Sequence, residues 1–247
     1  MKRMWRITLL VIGLIALPVA AQPLRLVANA WPPFTGKELP ENGLAVDLVS
    51  TALQRAGYPS EYIEVPWARV LRGLEQGDYD VIISAWYSED RARYGLFSAP
   101  YLVNRIRFLR HNRTPVDFNE LADLRPFSIA VVRGYSYGAA FDQDRTLTKV
   151  PVLDFGQGAR MLAAGRVQLA LEDELVAQYY LRRDLGKAGT ALVFVPKPLQ
   201  ENGLHILVRR SHPQYREIVS GFNRAIIEMR ADGTYQRIYE RHGLSLN

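Results

Sequence analysis

The segment from residue 81 to residue 101 reads Val-Ile-Ile-Ser-Ala-Trp-Tyr-Ser-Glu-Asp-Arg-Ala-Arg-Tyr-Gly-Leu-Phe-Ser-Ala-Pro-Tyr. Its first three residues predict a buried strand that ends in small and hydroxyl residues, and the Ser-x-x-Arg sequence after them predicts a turn. Ser88 is placed to cap this turn, where free backbone N–H groups bind anions. Arg91 adds a planar set of donors that matches a carboxylate. A lone Ser-x-x-Arg is usually a solvated surface turn, so the neighbouring elements decide between the two interpretations.

Strand and helix patterns alternate upstream of this segment. Leu24–Ala28 and Tyr62–Val65 predict strands, and each is followed by apolar residues at helical spacing. Such alternation is typical of a mainly parallel α/β sheet. Ligands of these sheets bind at the carboxyl ends of the strands. We therefore expect Trp31, Trp86 and Arg91 to lie near one another.

The second half of the chain repeats this arrangement. In the first half a helix pattern ends at Gly77 and its strand reaches Ser84 seven residues later; in the second half the corresponding residues are Gly165 and Glu172, also seven apart. Two similar α/β units are therefore predicted, each with polar residues at a strand end. Two further helix patterns follow Pro198, and they predict that the tail packs back onto the first unit.

The N-terminus has the pattern of a cleaved export signal. Basic residues precede an apolar run from Leu9 to Leu17, and the sequence Val-Ala-Ala at 19–21 fits a cleavage site before Gln22. The apolar run is shorter than the roughly 20 residues that a membrane-spanning helix needs, and Pro18 interrupts it. Residues 1–21 are therefore predicted to be a signal peptide, and the mature protein is predicted to be periplasmic.

Composition excludes several classes of site. The 247 residues contain no cysteine, which excludes disulfides, thiol catalysis, cysteine-bound metals and a lipoprotein anchor. Removing the signal peptide removes three of the 31 basic residues and none of the 25 acidic ones, so the mature chain is near +3. No clustered basic face predicts nucleic-acid binding. The four histidines lack the spacing of a metal site or a catalytic triad, so neither metal nor cofactor is expected.

Several ordered motifs together resemble the family 3 extracellular solute-binding proteins, the periplasmic amino-acid-binding components of ABC importers. The resemblance covers essentially all of the mature chain. The motifs are Trp31–Phe34, Gly43–Leu48, Gly77–Asp80, Ser88–Arg91 with Phe97–Tyr101, and Gly165–Val167 leading to Asp173.

This resemblance implies a type II periplasmic-binding-protein fold: α/β, with two lobes, each a mainly parallel sheet flanked by helices, joined by a two-strand hinge. The predicted lobes are residues 22–103 with 200–247, and residues 104–199. The resemblance also implies a monomer that hands its ligand to an inner-membrane ABC permease. By analogy with the family, Arg91 holds the ligand carboxylate and Asp173 the ammonium group. The remaining predicted ligand contacts are Trp31, Trp67, Ser84, Trp86 and Ser136.

Some assignments keep an alternative at this point. Trp31 and Trp67 also fit ordinary core positions, and Asp173 also fits a helix N-cap. Trp86 departs from the family, because amino-acid binders often have a small hydroxyl residue there; its indole narrows the pocket or offers a cation–π face. Ala28 stands where some relatives carry an acidic residue for a basic side chain, which disfavours lysine or arginine as the ligand.

Two other functions fit the same fold. The first is a periplasmic dehydratase, in which a cleft carboxylic acid protonates a leaving hydroxyl, with Glu172, Asp173 or Glu174 as the candidate acid. The second is a solitary binding protein that presents its ligand to a sensor. Binding without covalent chemistry is the favoured function, so no enzyme activity is expected. The sequence assigns no role to Arg69.

Overall fold

The computed structural model describes residues 22–183 and 185–244, so the predicted signal peptide lies outside the described residues. The first lobe is built from alternating strands and helices, as the apolar periodicity predicted. Its elements are β1 (Leu24–Ala28), α1 (Leu44–Arg55), β2 (Ser60–Glu64), α2 (Trp67–Gln76), β3 (Val81–Trp86), α3 (Glu89–Tyr94) and β4 (Gly95–Phe97).

A long strand, β5 (Leu102–His111), leads from the first lobe into the second. The elements of the second lobe are β6 (Ser128–Val132), α4 (Ala139–Gln143), β7 (Thr148–Val152), α5 (Phe155–Ala163), β8 (Leu169–Asp173), α6 (Glu174–Arg183), α7 (Gly186–Gly189) and β9 (Leu192–Phe194). A second long strand, β10 (Gln200–Arg209), returns to the first lobe, where α8 (Tyr215–Ala231) and α9 (Thr234–Arg241) end the described chain.

The two lobes share one strand order. In the first lobe β1 lies between β2 and β3, and all three strands are parallel. In the second lobe β6 lies between β7 and β8, again with parallel pairing. An antiparallel long strand then pairs with the third strand of each lobe: β10 with β3, and β5 with β8. The two-lobed, mainly parallel architecture is confirmed, and so is the structural echo between the halves.

The long strands β5 and β10 form the connection between the lobes. They pair antiparallel with each other, from Leu204 opposite Leu102 to Gln200 opposite Ile106. Because each continues into both lobes, the backbone ladder runs without a break from β2 to β7. The predicted lobe limits, 103/104 and 199/200, fall in or beside these strands and stay a prediction.

Three local expectations need correction. Ser88 occupies the N-cap position of α3, but its side chain makes no capping hydrogen bond. Strand β3 continues past the apolar run Val81–Ile83 and through Ser84 to Trp86, so Trp86 is a strand residue. The apolar run Leu169–Leu171 predicted a strand followed by a helix that opens at Glu172, whereas β8 extends to Asp173 and α6 begins at Glu174. The strand pairing with the hinge explains both extensions, since Ala85 and Trp86 pair with β10 and Asp173 pairs with β5.

The tail packs as predicted. Helix α8 buries an apolar stripe that includes Ile218, Phe222 and Met229, and it packs against α1 and β10. Arg55 at the end of α1 forms an ion pair with Asp232, which follows α8. None of the described helices has the length and apolar character needed to cross a bilayer.

Candidate functional site

Arg91 is the most unusual charged residue of the cleft. Helix α3 starts directly after β3, and it carries the Arg91 side chain inward, where only 6% of the residue is exposed. Its Nη1 donates to the carbonyl oxygen of Trp86 at 2.9 Å and its Nη2 to that of Gly134 at 2.7 Å. Burial lowers the pKa of Arg91. Within the described residues, no carboxylate lies within ion-pair distance of this guanidinium.

Gly134 joins the lobes at this point. Its carbonyl oxygen, in the loop after β6, accepts from Arg91 and also from Nε1 of Trp67 at 3.0 Å. The Arg91 guanidinium carbon lies 5.2 Å from the centre of the Trp67 ring, a cation–π distance. A guanidinium has five N–H donors, so these contacts leave donors of Arg91 available for a further acceptor. The described conformation is therefore one in which the two lobes touch beside a partly used arginine.

A small cavity lies between the lobes next to Arg91. Its volume is about 20 Å³, which is room for about one water molecule. Nine residues line it: Asn29, Trp31, Trp67, Ser84, Trp86, Arg91, Tyr135, Ser136 and Leu204. Six of the seven predicted ligand contacts therefore meet at one cavity, and Asp173 is the exception.

Aromatic rings make up much of the cavity lining. Trp31 and Tyr135 each stand nearly perpendicular to Trp86, at 79° and 80°, with ring centres 5.7 and 5.4 Å away. Trp67 meets Tyr135 at 83° and 5.5 Å. Such edge-to-face pairs are a favoured geometry of aromatic side chains. The three tryptophans are buried and also line the cavity, so their core and site roles are not exclusive.

Hydroxyl and amide groups complete the lining. Ser84 is buried on β3, and its hydroxyl has no hydrogen-bond partner in the part of the chain that the structure describes. The Ser136 hydroxyl lies 3.3 Å from the carbonyl oxygen of Tyr87, across the cleft. Asn29 donates from Nδ2 to the Tyr135 hydroxyl at 3.3 Å, also between lobes. These groups offer neutral donors and acceptors beside the one cation.

Asp173 lies at the hinge, away from this lining, and is 1% exposed. Its Oδ1 accepts from the backbone N–H groups of Leu175 and Val176, at 2.9 and 3.0 Å, so it caps helix α6. Its Oδ2 accepts from Nδ2 of Asn104 at 3.0 Å. Burial raises the pKa of Asp173 to about 6. Both oxygens are engaged in this conformation, and the contact with a ligand ammonium stays a prediction.

Asn104 is a residue that the sequence analysis missed. It is fully buried on β5, it donates to Asp173, and its Oδ1 accepts from Nε1 of Trp86 at 2.8 Å. A hydrogen-bonded chain therefore runs from the cavity through the hinge to the start of α6. The signal was present in the sequence, because Asn104 falls on the apolar side of the alternation formed by Leu102, Ile106 and Phe108.

Tyr135 was also missed, although the turn that holds it was recognised. The resemblance to the family selected Ser136 from the turn that follows β6, whereas the ring of the preceding Tyr135 makes the contacts with Trp67 and Trp86. Tyrosine and serine alternate after Gly134, so this loop presents aromatic rings and hydroxyl groups together. This alternation is the sequence pattern that could have indicated Tyr135.

Glu172 is fully buried, and only one of its two carboxyl oxygens has a hydrogen-bond partner among the described residues. Its Oε1 accepts from the Trp31 indole N–H at 3.2 Å, across the cleft, and from the backbone N–H of Asp173 at 2.8 Å. Its Oε2 has no hydrogen-bond partner within the described chain. Burial raises the pKa of Glu172 to about 8, and the neighbouring Asp173 carboxylate adds to the increase. Glu172 is therefore predominantly protonated at neutral pH.

Two residues without a clear role in the sequence now have a position. Glu174 forms ion pairs with Arg107 at 2.7 Å and with Arg105 at 3.6 Å, which tie the start of α6 to β5. Arg69 is exposed on α2 and does not line the cavity. Neither residue contributes to the lining described above.

Known proteins share this architecture over nearly its full length. The L-arginine-binding protein of Pseudomonas aeruginosa is 26% identical over 98% of this chain and 96% of its own. A histidine kinase sensor domain with similarity to periplasmic binding proteins superposes with a TM-score of 0.78 at 21% identity, covering 91% of this chain and 98% of that one. An ancestral arginine-binding protein bound to glutamine has a TM-score of 0.75 at 24% identity, covering 89% and 96%.

The two structural likenesses establish the fold. The family is established by a sequence model that matches residues 25–245, which is nearly the whole described chain. That model describes the bacterial extracellular solute-binding proteins of family 3. With its two lobes, hinge strands and cavity between the lobes, the chain belongs to the bacterial extracellular solute-binding proteins, family 3.

Proposed function

We propose that this protein captures a small amino acid or a related small carboxylate between its lobes and delivers it to an ABC importer. The proposed ligand contacts are Arg91, Ser84, Ser136, Trp31, Trp67 and Trp86, to which the cavity lining adds Tyr135 and Asn29. The protein acts by binding and lobe closure, without a covalent step, in the way that hinged binding proteins enclose their ligands.

The environment of Arg91 carries this proposal. A buried cation without a carboxylate partner is costly, because the protein has removed it from water without providing a counter-charge. Arg91 keeps two carbonyl contacts and lines the cavity, so a ligand carboxylate supplies the missing charge. The fork of a guanidinium matches a carboxylate with two parallel bonds. An arginine with a purely structural role would be expected to pack against protein atoms on all sides, whereas Arg91 borders a cavity.

The lining favours a ligand without a basic side chain. None of the nine lining residues is aspartate or glutamate. A guanidinium or ammonium at the end of a ligand side chain would therefore be buried without a carboxylate partner. For this reason we do not propose arginine as the ligand of this protein, although some of its relatives bind arginine. Ala28, where some relatives carry an acidic residue, led to the same expectation.

The proposed setting is the periplasm, with an inner-membrane ABC permease as the partner and a monomer as the working form. The predicted signal peptide at residues 1–21 and family membership support this setting. Delivery to a sensor is the alternative fate of the same bound ligand, and the likeness to a histidine kinase sensor domain supports only the shared fold.

Calorimetric titration of the mature protein with amino acids and small carboxylates tests the proposal. We expect a ligand with an α-carboxylate, and a thermal-shift screen will find it first, since a ligand at 100 times its Kd adds about 2.7 kcal/mol to stability. Arg91→Ala is expected to weaken binding by about 100-fold or more, because charge-assisted bonds contribute about 1.5–3 kcal/mol each.

Arg93→Ala is the matched control, because Arg93 lies on the same short helix with an 81% exposed side chain. It removes the same charge at nearly the same place and is expected to leave affinity unchanged. Equal binding by the Arg91→Ala variant and the wild type would contradict the proposal.

Glu172 supports a second candidate function, a dehydratase. A carboxyl group that remains protonated near neutral pH is suited to protonate a leaving hydroxyl. Incubation with a cyclohexadienyl acid tests this, with the absorbance of an aromatic product as the readout. Turnover that Glu172→Gln removes would make the enzyme the better assignment, and absence of turnover would leave binding alone.

A further inference from the structure

Three rings of the cavity form a corner around the space beside Arg91. Trp86 lies between Trp31 and Tyr135, and both of these stand nearly perpendicular to it. We call Trp31, Trp86 and Tyr135 the aromatic cage. Trp67 is not counted, because Arg91 already lies over its ring. Electron-rich ring faces attract a cation that lies within about 6 Å of the ring centre, without needing hydrogen-bond donors on it.

The same cavity is poorly equipped for a primary ammonium group. Such a group brings three N–H donors, and each needs an acceptor when it leaves water. No carboxylate lines the cavity, and Asp173 uses both oxygens on α6 and Asn104. The side-chain hydroxyl groups that line the cavity are those of Ser84, Tyr135 and Ser136, and these neutral oxygens are weaker acceptors for an ammonium group than a carboxylate. A cation that has exchanged its N–H groups for methyl groups does not carry this requirement.

A neutral hydrogen-bond acceptor nevertheless lies close to the cage. The Glu172 carboxyl group accepts from the Trp31 indole N–H, and its second oxygen has no partner among the described residues. It stands behind one ring of the cage and does not line the cavity. A carboxyl group in this place reinforces the negative face of Trp31 toward a cation, while it offers no direct hydrogen bond to an ammonium in the cavity.

We propose that the ligand is a compact carboxylate with an N-methylated, preferably quaternary, ammonium group. Arg91 binds its carboxylate and the aromatic cage binds its methylated cation. This inference rests on the proposed function and specifies its ligand class. The cavity is small in the described conformation, so among methylated ammonium carboxylates a ligand without a side chain requires the least separation of the lobes.

Titration with glycine, N-methylglycine, N,N-dimethylglycine and N,N,N-trimethylglycine tests the inference on the wild-type mature protein. Affinity is expected to rise with each methyl group, by at least tenfold from the first compound to the last. The shape control is 3,3-dimethylbutanoate, in which carbon replaces the quaternary nitrogen, so that size and carboxylate remain while the positive charge is absent. It is expected to bind at least tenfold more weakly than trimethylglycine.

Tyr135 supplies the matched protein variants, because it is only partly buried and its ring is one wall of the cage. Tyr135→Phe keeps the ring but loses the hydroxyl that accepts from Asn29, so it is expected to lower trimethylglycine affinity by a smaller factor than Tyr135→Leu does. Tyr135→Leu removes the ring and is expected to lower trimethylglycine affinity by at least fivefold, and by a larger factor than it lowers the affinity for 3,3-dimethylbutanoate. Thermal unfolding of both variants checks that they are folded, and the ligand comparison stands without them.

The outcomes separate this inference from the function on which it rests. An unmethylated amino acid that binds more tightly than the methylated series overturns the inference and leaves the proposed function intact. Equal binding of trimethylglycine and 3,3-dimethylbutanoate also overturns it, since the charge would then have no role. Absence of binding by every amino acid and carboxylate overturns both.

Discussion

The third strand of each lobe has polar residues at or near its carboxyl end, and the two ends have different environments. Near the end of β3, Ser84 on the strand and Arg91 on the following helix α3 line the cavity, and the arginine lacks a carboxylate partner. At the end of β8, Glu172 and Asp173 are just as buried but lie outside the lining. Asp173 is satisfied by α6 and by Asn104. We refer to these as the arginine side and the acid side.

This difference shows that an equivalent place in the topology does not give an equivalent role. Both strands neighbour a hinge strand, and both ends come before a helix. The acid side has backbone N–H groups and an amide within reach, and these occupy both oxygens of Asp173, whereas Oε2 of Glu172 has no partner among the described residues. The arginine side has only carbonyl oxygens as acceptors, which leave the charge unpaired. Arg91 therefore keeps donors free beside the cavity, whereas the Asp173 oxygens are satisfied within the protein.

Arg91→Met gives the largest expected effect and separates affinity from stability on the arginine side. Ligand affinity is expected to fall by about 100-fold or more, while the free energy of unfolding changes by no more than about 1 kcal/mol. The physical reason is that methionine fills similar space and removes a buried charge that has no counter-charge. Calorimetric titration and urea denaturation measure the two quantities. A large loss of stability would mean that Arg91 is mainly structural.

Asp173→Ala is expected to show the opposite behaviour on the acid side. It removes the cap of α6 and leaves Nδ2 of Asn104 without its acceptor, so the free energy of unfolding should fall by about 2–4 kcal/mol. Ligand affinity should stay within about threefold of the wild type, measured well below the unfolding temperature. A loss of affinity above about 30-fold with little loss of stability would instead support the ammonium contact that the sequence predicted.

Glu172→Gln tests the acid side through the pH dependence of the free energy of unfolding. The pKa of Glu172 is raised to about 8 in the folded protein from an ordinary 4.5, so the folded state binds a proton that the unfolded state has released. Its contribution to stability is complete below about pH 4.5 and is lost as the pH rises to about 8. Asp173, raised to about 6, adds a similar loss at lower pH. The variant should therefore lose less stability than the wild type between pH 5 and pH 8.

Urea denaturation at pH 5, 6.5 and 8 provides the measurement for this variant. The difference in unfolding free energy between variant and wild type is expected to move in favour of the variant at each step. Parallel curves for the two proteins would show that Glu172 does not titrate in this range and that its buried oxygen finds a partner.

Trp67→Phe gives the smallest expected effect and tests the hydrogen bond between the two lobes. The change keeps a ring under Arg91 and removes the indole N–H that donates to Gly134 across the cleft. A neutral hydrogen bond contributes about 0.5–1.5 kcal/mol, so affinity should fall by about two- to tenfold through weaker closure. Calorimetry measures it. Unchanged affinity would show that this bond does not favour the closed arrangement.

Much of the fold was predictable because local patterns agree with the final packing. Leu24–Ala28 was predicted with its observed limits, and the apolar spacing that starts at Trp67 defined α2. Errors concentrated where strands meet the hinge. The apolar runs Val81–Ile83 and Leu169–Leu171 indicated shorter strands, and Asp173 was assigned to the start of a helix. Pairing with the hinge strands instead extends β3 to Trp86 and β8 to Asp173.

Prediction of the site was uneven for a similar reason. Residue type and motif were enough to select Arg91 and the three tryptophans, which meet at one cavity. Type alone could not show that the Asp173 oxygens are used elsewhere, since that depends on Asn104, which is 69 residues distant in the chain. Residues that contribute a ring or an amide to a shared network carry a weak signal in a single sequence.

The sequence by itself determined the two-lobed α/β architecture, because hydrophobic periodicity and the repeated order of elements are local properties. It also determined that an arginine follows the third strand of the first lobe. The tertiary structure decided which charges remain unpaired, because pairing depends on distances between groups that are far apart in the chain. It decided that Arg91 lines the cavity without a carboxylate partner and that Asp173 caps α6 and accepts from Asn104, and it brought the rings of Trp31, Trp86 and Tyr135 together.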